Sequence, residues 1–197
     1  MLIIVGSAGS GKTTVLKALE EKGYQRVVTY TTRPPRENEI DGIDYNFITY
    51  DRFCQLEKKG FFAETSEYEA SFGKCRYGSA RYSYENKDAM IALDNNGVKS
   101  IRGARNAKIS DSFIVYLHVS EKLLGQRLRA RGDCRSEIEQ RMRHDREALV
   151  DIEEYCDLVI HIDQETTIED VVSEIEKYSS EWRGTRRVSV EAFLNNG

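Results

Sequence analysis

The sequence predicts an α/β fold built on a mostly parallel sheet with flanking helices, and three observations carry that prediction. A short apolar run, Leu2–Val5, passes through a glycine-rich loop straight into a helical pattern at Val15, Leu16, Ala18 and Leu19. Two further apolar runs, Ala89–Leu93 and Phe113–Leu117, read as strands buried on both faces, and 98–107 between them reads as a helix. A last strand at Asp157–Ile162 leads into a helix marked by Ile168, Val171, Val172 and Ile175, running to about Tyr178. Strands alternating with helices in this way place ligands at the carboxyl ends of the sheet.

The first loop reads Gly6-Ser7-Ala8-Gly9-Ser10-Gly11-Lys12-Thr13, which is G-x-x-x-x-G-K-[ST] between a strand and a helix. Glycines let the backbone turn its N–H groups inward around a phosphate, Lys12 brings a cation, and the Thr13 hydroxyl is placed to ligate Mg²⁺, with Thr14 beside it. The helix that starts here adds the positive end of its dipole. Nucleoside triphosphate binding is the reading, with residues 6–14 as the contacting segment.

The helix ends near Gly23, and Arg26–Tyr30 follows as a second strand. Residues 31–84 hold both prolines and much of the aromatic content, with short alternating pieces such as Tyr45–Thr49, and read as an inserted β-rich unit. Within it, 51–59 has helical spacing at Phe53 and Leu56, an N-cap in Asp51 and a stop at Gly60. Residues 121–131 and 136–149 read as an arginine-crowded helix pair, the second opened by a capping box, Ser136-x-x-Glu139. After Trp182 the periodicity is weak.

A chain of 197 residues with net charge -4 is most simply one domain and is not a globally basic nucleic-acid binder. Its four cysteines form no C-x-x-C, which argues against a zinc site or a disulfide framework. No segment reads as a signal or membrane span, so a cytoplasmic protein without membrane or nucleic-acid partners is expected.

The segment Thr31-Thr32-Arg33-Pro34-Pro35-Arg36, leading to Glu39-x-x-Gly42-x-Asp44-Tyr45-x-Phe47, resembles the signature of guanylate kinases, as do Tyr77-Gly78-Ser79 and Asp94-x-x-Gly97-Val98. The resemblance runs from residue 1 to about 178. It implies a P-loop nucleoside monophosphate kinase with a core (1–30, 85–120, 150–180), a monophosphate-binding insertion (31–84), a lid (about 121–149) and a tail (181–197). ATP and GMP are the implied substrates and Mg²⁺ the cofactor; dGMP use and oligomeric state stay open. By resemblance, Arg33, Arg36, Tyr45 and Tyr77 hold the GMP phosphate. Two guanidinium forks suit a dianionic phosphate on chemical grounds as well. Glu64 and Asp94 stand where the family places acceptors for the guanine N1–H and amine, with Thr29 and Ser79 as hydroxyl partners. Lys12, Arg33, Arg127, Arg131 and Arg141 are the residues expected to neutralise charge during transfer.

Three departures mark this chain. Ala92 stands where the family usually carries an acidic residue, the segment from Glu64 to Tyr77 is longer than usual, and the segment from Ser79 to Asp94 is shorter, so the helix after Tyr77-Gly78-Ser79 is expected to be truncated. They leave open a family relative with another monophosphate acceptor. A phosphopeptide-binding scaffold is the reading from a different class, and an intact Lys12 and Thr13 argue against it.

Overall fold

The computed structural model describes residues 1–70 and 73–194, without the side chains at 68–70, 107, 141 and 183–194. Two sheets organise the chain. The first holds β1 (Leu2–Val5), β2 (Gln25–Arg26), β7 (Ala89–Ala92), β8 (Phe113–Val119) and β9 (Leu158–Ile162) in the order β2-β7-β1-β8-β9, every neighbouring pair parallel. The second holds β3 (Tyr30–Thr31), β4 (Asn46–Phe47), β5 (Phe62–Ala70) and β6 (Gly73–Ala80) in the order β4-β3-β6-β5, with β6 antiparallel to both neighbours.

The parallel sheet is buried on both faces, as its apolar runs require. Leu2 and Ile4 point to one side, where they pack with Met90, Val115, Leu117 and the helices α1 (Lys12–Glu21) and α7 (Ile168–Leu194) through Leu16, Leu19, Val171 and Ile175. Ile3 and Val5 point to the other, against Ile91, Ile114 and α3 (Asn95–Arg102) through Val98 and Ile101. Each such side chain, fully buried, contributes roughly 1.5–3 kcal/mol. The β8 and β9 end is tied to α3 by Arg102. Its guanidinium donates to the carbonyls of Tyr155 (2.8 Å), Ser110 (3.2 Å) and Ser112 (3.0 Å) and pairs with the Asp157 carboxylate.

Several expected elements change. The strand read at 26–30 is divided: β2 ends at Arg26 in the first sheet and β3 begins at Tyr30 in the second, so Val27–Thr29 cross between sheets. Strand propensity gave no warning, because each piece is only two residues and is defined by its partner. The helix α2 (Tyr50–Lys58) is capped by Thr49, whose hydroxyl accepts from Arg52 N–H, and Asp51 lies inside the first turn. The helix α6 (Arg135–Ala148) starts after Cys134, so the Ser136/Glu139 capping box does not form; Glu139 instead accepts from Arg135 Nε at 2.8 Å. The helix expected at 98–107 is α3, followed by the short α4 (Ala107–Ser110). After Ser79 the chain makes only a 3-10 turn, Arg81–Glu85, in keeping with a truncated helix. The weakly periodic tail continues α7 to Leu194, and its side chains beyond 182 lie outside the described residues. The remaining helix, α5 (Glu121–Ala130), opens at Ser120, whose hydroxyl accepts from Leu123 N–H. Among the described residues no helix is long and apolar enough to cross a membrane.

Candidate active site

The glycine-rich loop joins the carboxyl end of β1 to α1, and Gly11 at the helix N-cap has φ 101°, a left-handed conformation that side chains rarely adopt. The loop closes on itself: Lys12 Nζ donates to the carbonyls of Gly6 (2.6 Å) and Ser7 (2.9 Å). Burial pushes the Lys12 ammonium below the usual lysine range, against the opposing pull of Asp145 and Asp94. Ala8 N–H donates to Asp145 Oδ2 at 2.9 Å, so one inward amide of the loop already carries an anionic oxygen from α6. Arg127 Nη1 lies 3.5 and 3.4 Å from the carbonyls of Gly9 and Ser10. Arg131 forms a forked pair with Asp133, and its charge is felt at Lys12. The side chain of Arg141, on the next helix, lies outside the described residues. Thr13 and Thr14 are exposed on the first turn of α1.

Across the cleft, β3 and β6 bring the second group together. Thr31 pairs with Tyr77, which puts the Arg33 side chain beneath Tyr77 and Tyr45. Arg33 is only 5% exposed; its Nε donates to Tyr77 OH at 3.0 Å and its Cζ lies 4.9 Å from the Tyr45 ring centre. Its two terminal nitrogens each donate to Glu39 at 2.5 Å, and Arg36 N–H donates to the same carboxylate at 2.8 Å. Burial works against the charge on Arg33, but Glu39, Tyr77 and Tyr45 outweigh it and hold the guanidinium above its ordinary value. Burial would likewise raise the Glu39 carboxyl, and the arginines hold it below the usual range. Arg36 sits at the rim, half exposed, 3.8 Å from Glu39. Glu39 therefore occupies the fork with two oxygens in the way a phosphate does. Sequence reading used Glu39 only as a motif letter; its spacing three residues after Arg36 was the available signal.

A third cluster lies where β5 meets α3. Glu64 is paired across the strands with Ser79, whose hydroxyl donates to it at 2.6 Å and lies 2.8 Å from Tyr84 OH. Burial, with the Asp94 charge nearby and against the Ser79 hydrogen bond, pushes the Glu64 carboxyl up to about 7. Burial also raises the Tyr84 phenol, helped by the charge of Glu64. Asp94 caps α3 through Gly97 N–H at 2.8 Å and accepts from Ser66 Oγ with its other oxygen. Both carboxylates crowd Gly97. A Cβ there would stand 3.1 Å from Glu64 Oε2 and 3.3 Å from Asp94 Oδ1, which explains the glycine. Ser66 and Tyr84 completed this cluster without any motif to announce them. Thr29 lines the cleft between the two sheets, together with Lys12, Thr13, Tyr45, Arg26 and Ala92.

A self-closing glycine-rich loop at the carboxyl end of the central strand of a parallel sheet, facing a second anion fork on an inserted sheet, defines a P-loop kinase. The guanylate kinase family profile matches residues 1–181, and the chain belongs to that family. It is 30% identical over 181 residues to the guanylate kinase of Nitrosomonas europaea, covering 88% of this chain and 87% of that protein. It is 33% identical over 135 residues to the guanylate kinase of Nitratidesulfovibrio vulgaris, covering 67% of this chain and 64% of that protein. The solved structure of the guanylate kinase from Anaplasma phagocytophilum is similar in fold, with a TM-score of 0.64 and 23% identity, covering 92% of this chain and 85% of that one. A shikimate kinase from Acinetobacter baumannii shares the fold at a TM-score of 0.51 and 16% identity, covering 91% of this chain and 92% of that one.

Proposed function

We propose that the chain transfers the γ-phosphoryl group of ATP to GMP, giving ADP and GDP, in the cytoplasm. The observation that carries this reading is the pairing of two anion sites across one cleft, with a carboxylate pocket beside the second. Lys12 and the loop amides hold the donor phosphates. Arg33, with Arg36, Tyr45 and Tyr77, holds the acceptor phosphate in place of Glu39. Glu64 in its ionised form accepts from the guanine N1–H and amine, oriented by Ser79, with Asp94 beside it and Thr29 at the mouth of the cleft. Arg127, Arg131 and Arg141 belong to a lid formed by α5 and α6, and the insertion at 31–84 is the acceptor unit.

Phosphoryl transfer needs alignment and charge neutralisation rather than a covalent intermediate, so these residues act by position. Magnesium suits the site: Thr13, an oxygen donor, lines the cleft beside Lys12, and a hard cation shared with phosphate oxygens needs few protein ligands. When bound, the ion would neutralise phosphate oxygens, held by Thr13, water and the nucleotide itself.

A relative that prefers another monophosphate is the second reading, favoured by the double engagement of Asp94 with Gly97 and Ser66. Steady-state assays with GMP, dGMP, AMP, CMP and UMP separate the two. ADP formation that depends on GMP supports the first; turnover confined to a different base supports the second.

A further inference from the structure

We infer that Arg26 is a further phosphate-binding residue, set where the donor and acceptor phosphates meet. This rests on the two-substrate reading above. Arg26 is the last residue of β2, in the parallel sheet, paired with Met90 of β7. Its guanidinium leaves that sheet and reaches the acceptor side, where Nη2 lies 3.4 Å from the carbonyl of Asp44, the residue before Tyr45. On the way it lines the same cleft as Lys12 and Thr13 on the donor side and Thr29 and Tyr45 on the acceptor side. Among the described residues lining that cleft, Arg26 is the one arginine.

Among the described residues no carboxylate is paired with Arg26. Ala92, which faces the same space, presents a methyl group. Asp44 meets Arg26 through its carbonyl, while its carboxylate accepts from Ile40 N–H at 2.9 Å. Glu39, the carboxylate that neutralises the acceptor unit, is spent on Arg33 and Arg36. The cleft therefore presents Lys12 from the loop and Arg26 from the end of β2 to one space, into which both nucleotides would project their phosphates. A guanidinium offers five donors in a fixed plane and suits oxygens from two phosphates at once. Arg33 is buried against Tyr77 and Glu39, whereas Arg26 lines the cleft itself.

The test uses the full chain and three ligands measured by titration calorimetry: inorganic tripolyphosphate, GMP, and a dinucleoside pentaphosphate with adenosine and guanosine ends. Arg26→Gln is expected to weaken tripolyphosphate and the dinucleoside pentaphosphate about tenfold each, and GMP alone by less than about threefold. Arg26→Met, which keeps an aliphatic stem, is expected to do the same and serves if the glutamine variant does not fold. Unchanged affinity for both polyphosphates in a folded variant overturns the assignment, as does an equal loss for all three ligands. Tripolyphosphate carries no base. If it weakens as expected while the native chain shows no GMP-dependent turnover, Arg26 stands and the choice of GMP as acceptor falls.

Discussion

Replacing Glu64 with Gln separates the work this carboxyl does in folding from the work it does in binding. Its folded value of about 7 stands above the ordinary glutamate value of 4.5 because it is buried beside Asp94. A raised acid stabilises the fold only while protonated. That contribution is complete below the unfolded value and is lost as pH rises through the folded one. Integrated over the shift, ionising Glu64 in place costs on the order of 3 kcal/mol, of which about 2 kcal/mol falls between about pH 5.5 and about pH 8. The amide of Gln keeps an acceptor for Ser79 Oγ and does not ionise, so Glu64→Gln should be progressively more stable than the native chain as pH rises. For a chain of this size that is a difference of roughly 4–8 °C in thermal midpoint at the alkaline end. Guanine binding asks for the opposite state, because two donors require an ionised acceptor. GMP should therefore release about half a proton on binding at pH 7, where the carboxyl is half titrated. Thermal unfolding at several pH values, with calorimetry of GMP in buffers of different ionisation enthalpy, reads both effects. Parallel stability curves for the two chains, together with no proton release, would refute the reasoning.

Three further outcomes follow from contacts already described. Lys12→Met should lower turnover at least about 100-fold while leaving GMP affinity within about threefold, since the loop cation serves the donor; stopped-flow kinetics and GMP titration check it, and undiminished turnover would place the chemistry elsewhere. Asp145→Asn should tighten ATP binding about tenfold, because the triphosphate no longer displaces a carboxylate from Ala8 N–H; equal ATP affinity in the two chains counts against that displacement. Arg102→Met should destabilise the fold by about 2–4 kcal/mol in urea titrations, since it removes the donor to three carbonyls and leaves the Asp157 carboxylate with Ile114 N–H but without its counter-charge; a loss below about 1 kcal/mol would show that water replaces the arginine.

The parts of the molecule legible in the sequence were those fixed by local chemistry. The loop from Gly6 to Thr13 needs particular residue types at particular offsets, and the buried strands at Ile3 and Ile114 declare themselves by unbroken apolar runs. Arg33, Tyr45 and Tyr77 could be grouped because their motif is dense, and the structure does bring them together. What escaped was set by partners far away in the chain. Ser66 reaches Asp94, 28 residues on, because β5 packs against the start of α3, whereas Tyr84 meets Ser79, five residues back, through the 3-10 turn that follows β6. Asp145 shares its helix with four arginines and belongs to no motif; its contact with Ala8 spans 137 residues and has no local signature. The divided strand at 26–30 failed for the same reason, since neither sheet's claim on it is written in its own residues.

That division bears on how the two halves of the cleft can approach one another. The four-stranded sheet is joined to the parallel sheet through Val27–Thr29 on one side and through the stretch after the 3-10 turn, residues 86–88, on the other. Each sheet completes its own ladder without the other, because β2 pairs only with β7 while β3 pairs with β4 and β6. The ladder bonds reach into both crossings all the same: Val27 N–H donates to the Met90 carbonyl at 2.8 Å, Asn46 N–H to the Thr29 carbonyl at 2.8 Å, and Gln25 N–H to the Asp88 carbonyl at 3.3 Å. Arg26 and Thr29, at the two ends of the first crossing, are therefore held at a separation that both sheets fix together.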